Sequence, residues 1–129
     1  MRIRKAMLRG ALAVGLAVSA TSAKAQDNQE APVLVAGTVD CRYQLRPVET
    51  AICNTPVLAA MDIQMITLYS ALNQLVNPEV GVVMSADQET FLKTREACSS
   101  DVTCIGESYA ARIGELDKIL KDIASRGPY

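Results

Sequence analysis

The chain has 129 residues, with 13 basic and 14 acidic side chains, four cysteines and neither His nor Trp. Without histidine it lacks the usual general acid–base near neutral pH and the commonest metal ligand, and it carries no Gly-rich phosphate loop. The length suits one small domain once targeting sequence is set aside.

Residues 1–25 read as an export signal. Arg2, Arg4, Lys5 and Arg9 make a basic start, Gly10 to Ala20 an apolar run of eleven, and Ala23-Lys24-Ala25 an A-x-A cleavage site. Eleven residues are too few to cross a bilayer, which takes about 20, so removal of the signal is expected to leave a periplasmic or secreted protein that does not insert in a membrane. The signal takes five basic residues and no acidic one, leaving 8 basic against 14 acidic and a net charge of −6. That balance disfavours nucleic acid and anionic membrane surfaces and suits a basic protein partner.

Residues 26–39 are expected to be a flexible lead-in to a domain over 40–126. Val33 to Ala36 has strand character, but the chain offers it no evident pairing partner. Between Cys41 and Cys53 a short helical turn opens at Pro47, with Glu49 in its first turn, where a negative charge meets the helix dipole. Then comes the dominant element. Leu58, Met61, Met65, Leu68, Leu72 and Leu75 follow the three-and-four spacing of an amphipathic helix, which Thr55-Pro56 opens and Asn77-Pro78 closes. Asp62 and Tyr69 lie on one flank of this seam, and a carboxylate at the edge of a core requires a partner.

Asn77 to Met84 reads as a loop in which Val80, Val82, Val83 and Met84 either fold back over the helix end or form an exposed apolar contact for a partner. Ser85 and Gln88 form a capping-box pair that predicts a second long helix over about 86–98, with Phe91 and Cys98 inward and Arg95 along the core edge. Asp101 caps a third, over about 102–124, whose seam is Ile105, Tyr109, Ile113, Leu116, Leu120 and Ile123, with Arg112 on its flank. The expected fold is therefore all-α, a small antiparallel bundle of three helices. Four cysteines in an exported chain predict two disulfides rather than zinc. Three pairings are open to Cys41, Cys53, Cys98 and Cys104; local pairing, Cys41 with Cys53 and Cys98 with Cys104, is expected because each pair brackets a turn.

These residues resemble the LprI-like lysozyme-inhibitor family of small exported bacterial domains. The likeness runs from Cys41 to about Leu116. Pro47-Val48-Glu49, Ala51-Ile52-Cys53, Leu58, Asp62 and Tyr69 make one block; Gln88, Arg95, Cys98, Cys104, Tyr109, Arg112 and Ile113 make the other. Phe91 stands where that family usually has Trp, keeping an aromatic side chain without an indole N–H. The resemblance implies binding and inhibition of a basic lysozyme-type muramidase. A different envelope partner is the alternative. Glu49 and Asp62 also invite a glycosidase reading, but two acids and two guanidiniums on facing helix flanks fit an ion-pair network, with Arg95 and Arg112 bound by Asp62 and Glu49. No catalytic residue, metal site or cofactor is expected, and the protein is read as a binding domain rather than an enzyme.

Overall fold

The computed structural model describes residues 35–127. The expected export signal, residues 1–25, and most of the lead-in lie outside the described residues. Four helices follow a minimal hairpin: β1 (Val35–Ala36), β2 (Val39–Asp40), α1 (Pro47–Asn54), α2 (Pro56–Leu75), α3 (Pro78–Ala97) and α4 (Val102–Ser125). The fold is all-α apart from that hairpin, and two disulfides join Cys41 to Cys53 and Cys98 to Cys104. Such bonds suit an oxidising environment, periplasmic or extracellular. Among the described residues, no single helix is long and apolar enough to cross a membrane.

Prolines divide the helical sequence. Steric pressure from Pro56 holds Thr55 in an extended conformation, φ −122° and ψ 100°, and the chain axis turns by 104° between α1 and α2. Val48 and Ile52 of α1 are buried beside α2, whose buried line is Leu58, Ala59, Asp62, Met65 and Leu72. Leu75, counted in the apolar seam from its spacing, is 60% exposed because it lies in the last turn. The α2–α4 interface is the most extensive in the molecule, and it buries Ile105, Tyr109 and Leu116.

Residues 77–84 are not a loop. The Asn77-Pro78 pair that ends α2 also begins α3: Asn77 is extended, its side chain accepts a hydrogen bond from Val80 N at 3.0 Å, and Pro78 fills the first helical position. The second long helix thus starts well before the Ser85 to Gln88 pair, which lies inside it and caps nothing. Met84, Gln88, Phe91 and Arg95 form its buried line, at steps of four, three and four. Ser99 then takes a left-handed conformation, φ 54°, and Asp101 caps α4 by accepting from Cys104 N at 3.0 Å.

The lead-in also differs from expectation. Val35 pairs with Asp40 and Ala36 with Val39, with Gly37-Thr38 as the two-residue turn and positive φ only at Gly37. The missing partner of the short apolar strand is thus the segment immediately after it. Ala36 and Val39 are buried against the helices.

Candidate functional site

Asp62 is the centre of a buried polar node. It lies in the second turn of α2, fully enclosed, beneath the tip of the hairpin. Thr38 donates to it from its backbone N at 2.6 Å and from its hydroxyl at 2.9 Å. Tyr109 of α4 donates from its hydroxyl at 2.8 Å. Arg95 of α3 reaches Asp62 directly only at 3.4 Å, but its Nη1 donates to the Tyr109 hydroxyl at 2.8 Å and to Thr38 Oγ1 at 3.3 Å. Tyrosine and threonine therefore relay the charge pair, and the hairpin, α3 and α4 converge on one carboxylate of α2. Burial pushes the Tyr109 hydroxyl well above its ordinary pKa, so it stays a proton donor.

Gly37 is a geometric requirement of this node. Its φ is +53°, and a Cβ there would lie 2.9 Å from both the backbone carbon and the carboxylate of Asp62. Only glycine allows the hairpin to settle so close. On the other side, the Phe91 and Tyr109 rings stand 5.3 Å apart and tilted by 56°, with the Arg95 guanidinium 5.7 Å from each centroid. Phe91 supplies this contact with its ring face and needs no N–H.

The four charged residues read as one network divide into three groups. Only Asp62 and Arg95 meet. Arg112, also buried, donates from Nε to Gln88 Oε1 at 3.0 Å, from Nη2 to the Met84 carbonyl at 2.9 Å and from Nη1 to Glu115 at 3.0 Å. Gln88 completes the contact to α2 with Nε2 at 3.2 Å from Met65 Sδ. Glu49 pairs with Arg46, which donates to it from its backbone N at 2.9 Å and from Nη2 at 2.7 Å, and the guanidinium also reaches Glu96 at 2.7 Å. The side-chain hydrogen bond from Arg46 holds the Glu49 carboxyl below the usual glutamate range. The four charges therefore do not form the single network expected of them: Gln88, Glu115 and the Met84 carbonyl accept from Arg112 in place of Glu49, and Glu49 is taken by Arg46.

A cleft of about 560 Å³ opens over this node, walled by Ile66 and Tyr69 of α2 and Leu92, Lys93 and Glu96 of α3, with Thr38, Arg46, Glu49, Gln88 and Arg95 completing it. Of the apolar quartet named for a partner contact, Met84 is buried and Val80 half-buried, whereas Val82 and Val83 stand 71% and 59% exposed on the outer face of α3. The quartet thus divides between core and surface, as one face and then the other of a helix.

No family model matches the chain, and neither a curated protein nor a solved structure matches it. Thr38, Arg46 and Glu96 have no place in the sequence reading. Arg46 stands three residues before Glu49, a spacing at which an N-terminal helix pair forms, and Gly37-Thr38 between Ala36 and Val39 is a hairpin signal. Nothing local marks Glu96. Among the described residues no group of acids and cysteines is placed to hold a metal ion.

Proposed function

We propose that the protein is an exported, non-enzymatic binding domain of the LprI-like kind, which binds and inhibits a basic lysozyme-type muramidase by direct protein contact. The observation that carries this reading is the outer face of α3. Val82 and Val83 project from a rigid helix, 71% and 59% exposed, and Glu79 and Asp87 lie one turn before and after them on the same face. An apolar centre with an acidic margin matches the anatomy of a contact that loses its water at the centre and steers its partner from the rim. The net charge of −6 left after signal removal acts in the same direction over longer distance.

The test is the rate at which a basic muramidase clears a cell-wall suspension, with and without the protein purified after export. Inhibition is expected, and it should weaken as salt rises, since exposed charges are screened beyond about 8 Å at physiological ionic strength. The double variant Val82→Ser, Val83→Ser should inhibit at least about tenfold less well, as for loss of a buried contact centre, with its Tm nearly unchanged. A muramidase indifferent to excess wild-type protein would refute inhibition and assign the same surface to another envelope partner.

A further inference from the structure

Arg95 spends only two of its five N–H donors on the fold. A guanidinium has five N–H donors in a planar fork. Nη1 serves Thr38, Asp62 and Tyr109. Nε is buried with no acceptor, and Nη2 donates to no described residue. The Nε and Nη2 edge is the side-on face that grips a carboxylate with two parallel bonds. Native structures rarely leave a buried donor unpaired, and here the unpaired edge belongs to a residue that lines the 560 Å³ cleft.

We propose that this cleft binds a monoanionic carboxylate with a short apolar body, its carboxylate held side-on by Arg95. The charges around the cleft select this class. Both lining glutamates, Glu49 and Glu96, are engaged by Arg46 at 2.7 Å, and Asp62 balances Arg95. Lys93, exposed on the rim, has no partner among the described residues. Three cations, Arg46, Lys93 and Arg95, thus offset three anions, Glu49, Glu96 and Asp62, and a balanced cleft accepts one added negative charge more readily than two. A phosphate dianion would bring a second charge towards Glu49 and Glu96. Ile66, Tyr69 and Leu92 offer the apolar body a wall beside the fork, and the volume lies within the usual range for small-ligand sites, about 300–1,000 Å³. A free small acid and the C-terminus of a peptide share this chemistry. The site is separate from the valine pair on the outer face of α3 and does not depend on the muramidase reading.

The test is a titration of the ¹⁵N-labelled full protein followed at the arginine Nε–H signals, with three probes: N-acetyl-Ala-Leu with a free C-terminus, its C-terminal amide, and 4-methylpentanoate. The Arg95 Nε–H signal should shift with the free carboxylates, and the amide should bind at least about tenfold more weakly, because a neutral amide forfeits the charge-assisted pair. Tighter binding of the acetylated dipeptide than of 4-methylpentanoate would assign a peptide C-terminus; equal binding would assign a free acid. Because Arg95→Ala removes the partner of Asp62, the variants are made on the cleft surface. Lys93→Gln should weaken binding about two- to fivefold, in the range of an exposed charge contact, and Leu92→Asp should abolish it, both with native spectra. The proposal is overturned if acid and amide bind alike, if the Arg95 signal stays in place at millimolar acid, or if both variants bind as the wild type does.

Discussion

Asp62 concentrates the residue-scale energetics, because a fully enclosed carboxylate is tolerated only while its hydrogen bonds are complete. Removing a partner should cost according to how much of the charge it leaves unbalanced. Arg95→Ala leaves the carboxylate without its cation and should cost about 3–5 kcal/mol. Tyr109→Phe preserves the ring and removes only the relay, so about 1–3 kcal/mol is expected. Urea unfolding of the two variants gives the order, and equal costs would show that the hydroxyl relay, rather than the charge pair, holds the node. Glu49 provides a pH signature. Its carboxyl is held below the ordinary value of 4.5 by Arg46, so its contribution to stability is complete above that value and is lost as the pH falls through the lowered one. Glu49→Gln should therefore lower the Tm at neutral pH, and the gap to the wild type should close progressively in acid below about 4.5. A gap that stayed constant from neutral pH to pH 3 would contradict the pairing with Arg46.

At the scale of elements, the beginning of α3 decides how the chain presents its valines. A loop at 77–84 would let them rearrange, whereas a helix from Pro78 fixes Val82 and Val83 outward and Met84 inward. The cap that starts the helix is a single side chain. Asn77→Ala deletes the acceptor of the Val80 N–H and should cost about 1 kcal/mol, as for other N-cap replacements. It should also speed amide exchange selectively in residues 79–83, and protection that persisted there would show that Pro78 and packing suffice to hold the turn. At the opposite end of α3, Ser99 adopts φ 54° in a connection enclosed by the Cys98–Cys104 disulfide. The non-glycine residue accepts a backbone region that glycine fills more easily.

For the molecule as a whole, the two disulfides fasten two short connections of a small core. Cys41–Cys53 ties the end of the hairpin to α1, and Cys98–Cys104 ties α3 to α4. Each closes a short loop and should contribute about 2–4 kcal/mol. Reduction should therefore lower the Tm clearly, and loss of the first bond should also loosen the hairpin, read as faster amide exchange at Gly37 and Thr38. Unchanged exchange there would mean that the Asp62 contacts alone retain the hairpin.

The features legible in the residues alone are local. Most of the α2 and α4 seams, the break at Thr55-Pro56 and the cap at Asp101 depend on neighbours within a few turns, and their residues state them directly; Leu75 and Leu120, near the helix ends, are exposed despite their spacing, and the choice among three cysteine pairings came from the structure. The same locality misplaced the start of α3, because Asn77-Pro78 is as good an N-terminus as it is a stop, and the Ser85 to Gln88 signature is equally legal inside a helix. The flank positions of Asp62, Arg95 and Arg112 marked them as residues in need of partners. Which partners they take was decided only by the tertiary structure. Thr38, Arg95 and Tyr109 lie 24, 33 and 47 residues from Asp62 along the chain, and their meeting depends on the angles at which three helices and a hairpin pack. Hydrophobic periodicity records which face turns inward; it does not record which polar group waits there.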